Sequence, residues 1–154
     1  MLSIDDQLAI QTLYATYNQS VDRDRVDATV ACFTLRGALV VGESATEGHE
    51  ELTAFFHARA ASQATLPFRN AQHWNANLLL EEIGDAVRGS CYMVRFAIER
   101  ESGEKQVVSL GVTRTRSSST RGGGCSLAEP PSRCRSGNSE APRQIETPPS
   151  RRRR

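Results

Sequence analysis

The sequence contains no apolar run of bilayer-spanning length, no Cys-x-x-Cys pair and no histidines at metal-ligand spacing. The first absence excludes a helical membrane protein. The other two exclude the common zinc and dithiol sites, and the expectation is no metal. Cys32 and Cys91 stand among apolar residues and read as small core residues, while Cys125 and Cys134 stand in a polar context. The opening residues, Met1-Leu-Ser-Ile-Asp-Asp6, are acidic and lack the basic and apolar regions of a signal peptide, so a cytoplasmic location is expected. There is no nucleophile elbow and no phosphate-cradling glycine loop, since Gly122-Gly-Gly124 follows no strand and opens no helix. No cofactor is expected.

Aromatic residues are missing from one part of the chain altogether. All five Phe, all three Tyr and the single Trp fall within residues 1–112. That segment holds 9 Lys and Arg against 15 Asp and Glu, a net charge of −6; residues 113–154 hold 10 Arg against 3 Glu, a net charge of +7. A 154-residue chain suggests one domain and one core, and here the core-forming residues end at about Val112. The division is therefore a domain over 1–112 and a basic Arg/Ser/Pro/Gly-rich tail over 113–154, expected to be disordered. With no aromatic for base stacking, nucleic acid is not an expected partner, and only the tail offers charge for it. A shifted reading frame explains the tail better than design does. Moving the frame by one nucleotide from Arg116 permits codons for a further strand, turn and strand, the elements that the sheet lacks.

Ser3 followed by Asp6 has the form of a helix start, and Ile10, Leu13, Tyr14, Tyr17 and Val21 recur at helical spacing after it. Asp22 closes this helix, where a carboxylate is unfavourable by the helix dipole. It either belongs electrically to the next helix or has a partner elsewhere. Asp24 is placed to cap a second short helix with Val26, Val30 and Phe33 inward. Ala38–Gly42 reads as a strand. Gly48 to about Gln63 reads as a third helix, carrying His49 and His57 in surface positions.

Three strands follow in a meander: Phe68 to Glu82, Ala86 to about Arg100, and Lys105 to Val112. Side chains alternate across a strand, so His73, Asn75 and Asn77 share one face, with Trp74, Ala76 and Leu78 opposite. An imidazole and two amides on one face suit the lining of a small-molecule pocket. In the next strand Cys91, Met93 and Arg95 lie opposite Tyr92, Val94, Phe96 and Ile98. The layout is α+β, a curved and mostly antiparallel sheet wrapped by three N-terminal helices. A carboxylate from Asp22 accepting Nδ1–H of His73 leaves Nε2 free as a base near neutral pH. A buried structural histidine is the competing reading.

Ile10-x-x-Leu13-Tyr14, Val21-Asp22-Arg23, Cys32-Phe33-Thr34, Gly48-His49-Glu50-Glu51 and His73-Trp74-Asn75-x-Asn77-Leu78, in this order and spacing, resemble the SnoaL-like branch of the nuclear-transport-factor-2-like superfamily. The resemblance covers about residues 4–112. It implies a cone-shaped α+β barrel with a deep pocket, and members that include polyketide cyclases, scytalone dehydratase and the hexachlorocyclohexane dehydrochlorinase. The last two use an Asp–His pair at the positions that Asp22 and His73 match. The implied activity is a cofactor-independent lyase or isomerase acting on a small, largely apolar molecule, with Asp22 and His73 catalytic. Tyr14, Asn75, Asn77 and Met93 are the candidate substrate-binding residues. The alternative is a non-catalytic ligand-binding domain, or one like the small subunit of the ring-hydroxylating dioxygenases. A homo-oligomer is expected, and no membrane partner. The family's closing strands have no recognisable equivalent after Val112.

Overall fold

A computed structural model of the chain describes residues 2–118. The first helix, α1 (Ile4–Asp22), opens on a reciprocal cap. The Asp6 backbone N–H donates to the Ser3 hydroxyl at 3.1 Å, and the Ser3 N–H donates to the Asp6 carboxylate at 3.3 Å. Along α1, Ile10, Tyr14 and Val21 are buried, and they serve two different cores. Ile10 and Tyr14 pack on Val87 and Cys91 of the sheet, joined by Leu78 and Leu80. Val21 packs with Val26, Val30, Phe33, Leu52 and Phe56, joined by Tyr17. One helix thus ties a sheet-side core to a helical core, and its last turn lies at the helical end.

The second helix, α2 (Val26–Val30), is a single turn and a half. Asp24 does not cap it. Asp24 takes a left-handed backbone conformation (φ 52°), and its carboxylate pairs with Arg59 at 3.1 Å instead. A hairpin of β1 (Ala38–Val41) and β2 (Ser44–Glu47) leads into α3 (Gly48–Ser62). Leu52 and Phe56 of α3 face inward, where Tyr17 meets Phe33 edge-on at 5.7 Å and Phe56 at 6.5 Å between ring centres. Burying each such side chain is worth roughly 1.5–3 kcal/mol. His49, expected at the surface, is half-buried at the start of α3, and its Nε2–H donates to the Phe33 carbonyl at 3.0 Å. His57 is exposed.

The main sheet is antiparallel, in the order β3 (Phe68–Ile83), β4 (Ala86–Glu99), β5 (Lys105–Ser118). The α+β layout with three helices and an antiparallel sheet is as expected. Among the described residues the sheet has three strands and is open. β5 runs on to Ser118, beyond the Val112 at which the hydrophobic pattern stops, with Thr113 opposite Cys91 and Thr115 opposite Gly89. Residues 119–154, including Cys125, Cys134 and all but the first three residues of the stretch assigned to a shifted frame from Arg116, lie outside the described residues.

Two register shifts interrupt β3, between Arg69 and Gln72 and between Ala76 and Leu79. Each contains an asparagine at positive φ, Asn70 at 53° and Asn77 at 57°, a conformation asparagine tolerates better than most residues. The second bulge reverses the alternation. Leu78 and Leu80 therefore turn to the helix side and join the core, whereas Leu79 is exposed. The expected grouping of Leu78 with Trp74 and Ala76 fails for this reason. On β4, by contrast, Val87, Cys91 and Ala97 are buried on the helix side, while Tyr92 is 61% exposed on the other, as simple alternation predicts.

Candidate functional site

Asp22, at the unfavourable end of α1, has a partner. Its Oδ1 lies 2.5 Å from Nδ1 of His73, and its Oδ2 accepts the backbone N–H of His73 at 2.9 Å. Among the described residues β3 is an edge strand, so alternate backbone N–H groups point away from β4 and need cover. Asp22 covers one of them and orients the ring of the same residue. An ionised carboxylate only accepts, so with a neutral ring beside it the proton sits on Nδ1 and Nε2 is left as the acceptor. The two side chains are 20% and 13% exposed, so the pair is largely withdrawn from water.

The end of α1 is itself held by Arg59 of α3. Its guanidinium donates to the Val21 carbonyl and to the Asp24 carboxylate, each at 3.1 Å. A cation at a helix C-terminus offsets the dipole that disfavours Asp22 there. Tyr17 packs beneath this corner, and burial pushes its phenol up to about 12, against the lowering influence of Arg59. Sequence inspection missed Arg59, because nothing local relates it to a residue 38 positions away.

Directly across from His73 on β4 stands Arg95, and across from Asn75 stands Met93. Opposed residues of an antiparallel pair share a face, with Cβ atoms about 4.5–5.5 Å apart. His73, Asn75, Met93 and Arg95 thus form one inward-facing group, lying between the two bulges that sharpen the curl of β3. Among the described residues, two polar atoms of this group are buried without a hydrogen-bond partner: Oδ1 of Asn75 and Nε of Arg95. Buried polar atoms of native proteins are nearly always paired, so two neighbouring exceptions mark a place where something else supplies the partners.

The remaining two candidates lie elsewhere. Asn77 sits in the second bulge and is exposed, so it does not share the face of His73. The Tyr14 hydroxyl is hydrogen-bonded to Thr115 Oγ1 at 2.6 Å. Thr115 stands opposite Gly89, six residues along β4 from Arg95, which is roughly 20 Å in a strand. Tyr14 closes the far end of the helix–sheet contact, and burial pushes its phenol up to about 12. The structure brings together Asp22, His73, Asn75 and Met93, and adds Arg95, whose signal in the sequence was only its shared face with Met93.

Among the described residues no three His, Cys, Asp or Glu side chains are grouped as metal ligands. No described helix is long and apolar enough to cross a membrane.

The SnoaL-like domain family matches residues 3–123. No curated protein matches the chain. Solved structures of the same fold include Rv3472 of Mycobacterium tuberculosis, a protein of unknown function, at 22% identity and a TM-score of 0.69, covering 82% of this chain and 74% of that one. An NTF2-like protein with a cystatin-like fold from Novosphingobium aromaticivorans is similar at 20% identity and a TM-score of 0.67, covering 81% and 79%. ActVI-ORFA of Streptomyces coelicolor is similar at 14% identity and a TM-score of 0.68, covering 79% and 91%. At these identities the likeness establishes the fold.

Proposed function

This chain belongs to the SnoaL-like domain family, and on that premise we propose that it is a cofactor-independent lyase or isomerase, in which Nε2 of His73 removes a proton from a small molecule and Asp22 holds the base. The observation that supports this is the double grip of one carboxylate on His73, at Nδ1 and at the backbone N–H, in a site shielded from water. Asp22 fixes the tautomer and stabilises the imidazolium formed when the proton is taken. General-base assistance of this kind contributes roughly 10²–10⁴-fold. The proton taken lies beside a leaving group or a carbonyl, giving elimination in the first case and isomerisation or ring closure in the second.

The test is a panel of small cyclic carbonyl and β-substituted compounds, followed by NMR in D₂O for exchange, elimination or rearrangement. His73→Ala and Asp22→Asn are each expected to lose at least about a hundredfold in rate while keeping the native circular dichroism spectrum. Wild-type rates in both variants overturn the proposal. The bond from the His73 main chain to Asp22 favours a second reading, a non-catalytic domain in which the pair only anchors α1 to the sheet edge. In that case His73→Ala lowers the melting temperature and changes the binding or turnover of no compound in the panel. A cytoplasmic location belongs to the same proposal, and fractionation checks it.

The homo-oligomer is proposed on the outer face of the sheet. Trp74, Tyr92 and Leu110 there are 60%, 61% and 75% exposed, and Leu79, Phe96, Val107 and Val112 extend the patch. With an aromatic side chain presenting roughly 150–250 Å², the exposed parts of these seven residues amount to on the order of 700 Å². That is close to the roughly 800 Å² each partner contributes to a standard interface, and a second copy is the occupant proposed. Sedimentation velocity is expected to give a dimer, and Leu110→Lys a monomer. A wild-type monomer at high concentration refutes it.

A further inference from the structure

Charge in the main sheet is sorted by face. Opposed residues of an antiparallel pair point the same way, so the register puts Arg69, Arg88, Lys105, Arg114 and Arg116 on the outer face, all of them exposed. Among the described residues the one acid on that face is Glu81, opposite Arg88. Residues 1–118 hold 11 Lys and Arg against 15 Asp and Glu, so a strongly positive face stands on a body that is otherwise negative. Among the described residues none of the five basic groups makes an ion pair. Arg88 also faces Arg116 directly, and Arg114 is the next outward residue of β5. Like charges opposed in this way are destabilising. Charge on an open edge deters unwanted strand pairing, which accounts for Arg114 and Arg116 on β5. It does not account for Arg88, which stands on the central strand.

The basic groups lie at the two ends of the apolar patch. Arg69 and Lys105 flank Ile98 at one end, Arg88, Arg114 and Arg116 stand at the other, and Trp74, Tyr92 and Leu110 lie between. They are therefore the rims of the surface proposed for a second copy. A two-fold axis along the strands lays each rim on its own counterpart; an axis across the strands lays each rim on the other. Both rims are basic, so like charge meets like in either arrangement.

We propose that anions of the phosphate class bridge the two copies at these rims, held between arginines of both chains, so that the site is complete only in the dimer. The inference rests on the sheet-face dimer and supplies the counter-charge that the dimer lacks. Packed sheets stand about 10 Å apart, and the arginines reach into that gap from both sides. A guanidinium fork takes two oxygens of an oxyanion at once. A carboxylate has only two oxygens and satisfies one fork. A phosphate group has oxygens left for a second arginine on the far side. Arg88 and Arg116 are the principal ligands, and Arg114 adds charge beside them.

Pyrophosphate is the probe, added to the full-length protein at an ionic strength matched with chloride, and sedimentation velocity reads the dimer dissociation constant. In wild type the constant is expected to fall roughly tenfold or more with pyrophosphate. The Arg88→Gln, Arg116→Gln double variant is expected to respond by less than about twofold, and to dimerise in chloride at least as tightly as wild type because the repulsion is gone. The arginines of residues 119–154 are the same in both proteins, so their share of the response cancels in the comparison. Arg114→Gln is expected to respond to an intermediate degree, and serves if the double variant does not fold. An equal dissociation constant with and without pyrophosphate in wild type, or a full response in the double variant, overturns the bridging site and leaves the dimer standing. A protein that stays monomeric with and without pyrophosphate, in wild type and double variant alike, overturns the dimer itself. Calorimetric binding of pyrophosphate to that monomer, dependent on Arg88 and Arg116, would overturn only the sharing and assign the anion to a single chain.

Discussion

Replacing Asp22 with alanine removes two hydrogen bonds at once. The Nδ1–H of His73 and the His73 main-chain N–H both lose their acceptor, and a buried donor left unpaired costs about 1–3 kcal/mol. The two side chains retain 20% and 13% of their exposure, so water reaches part of the gap and the sum falls below the maximum. We expect a loss of roughly 2–4 kcal/mol for Asp22→Ala. Asp22→Asn keeps a carbonyl for one of the two donors and is expected to lose about half as much. With a urea m-value of about 1–3 kcal/mol per molar, the alanine variant shifts the midpoint by on the order of 1–2 M, well within reach of a circular dichroism titration. The pairwise part comes from a double-mutant cycle with His73→Ala, where the coupling is expected at about 1.5–3 kcal/mol. If Asp22→Ala unfolds within about 0.5 kcal/mol of wild type, the size of change typical of an uninvolved surface residue, the contact contributes nothing to stability and the argument for a fixed imidazole fails.

Gly89 faces both hydroxyls of the Tyr14–Thr115 bond, and a Cβ there would sit 2.6 Å from each oxygen. Gly89→Ala is therefore expected to cost about 1–3 kcal/mol in chemical denaturation, and Tyr14→Phe in the same background to recover part of it. Tyr14 and Tyr17 are both raised from 10.0 to about 12 by burial, so the folded protein binds their protons more tightly than the unfolded chain does. Their contribution is complete below the unfolded pKa and is lost as pH rises from 10 through 12, by at most roughly 2.7 kcal/mol per tyrosine. In a Tyr92→Phe background, phenolate absorbance is expected to rise about two pH units later in the folded protein than in urea, whereas ionisation of both near pH 10 in a still-folded protein would contradict it. Burial also raises the thiols of Cys32 and Cys91, and in a Cys125→Ser, Cys134→Ser background both are expected to resist a disulfide reagent until urea is added.

What was legible in the sequence followed from periodicity and from one local anomaly. The stripe of α1, the Ser3 cap and the two faces of β4 obey simple spacing, and the structure reproduces them. The dipole argument asked for a partner for Asp22, and the partner is His73. Other features left no local trace. β2 is Ser-Ala-Thr-Glu, without alternation, and forms because β1 pairs with it. Thr113 to Arg116 look like the start of a polar tail, yet they pair with β4 and supply Thr115 to Tyr14. The hold of Arg59 on the end of α1 joins two helices through a carbonyl, a group every residue has, so no residue type announces it.

The asparagines of β3 carry the deeper reason why the site was only partly visible. Unbroken alternation over β3 would put His73, Asn75 and Asn77 on one face, a polar stripe of roughly 13 Å. Asn70 and Asn77 instead absorb one extra residue each, so that only Ala71, His73 and Asn75 face inward between them before Leu78 and Leu80 resume the core. A one-residue shift in a strand reverses every side chain beyond it. The same two residues therefore bound the polar segment, return the strand to hydrophobic packing on α1, and increase the local twist that curls β3 around His73. Polar character was read from the sequence as a property of the pocket. At Asn77 it is a property of the backbone, and only the residues between the two bends, with Arg95 and Met93 across from them, are left to meet a substrate.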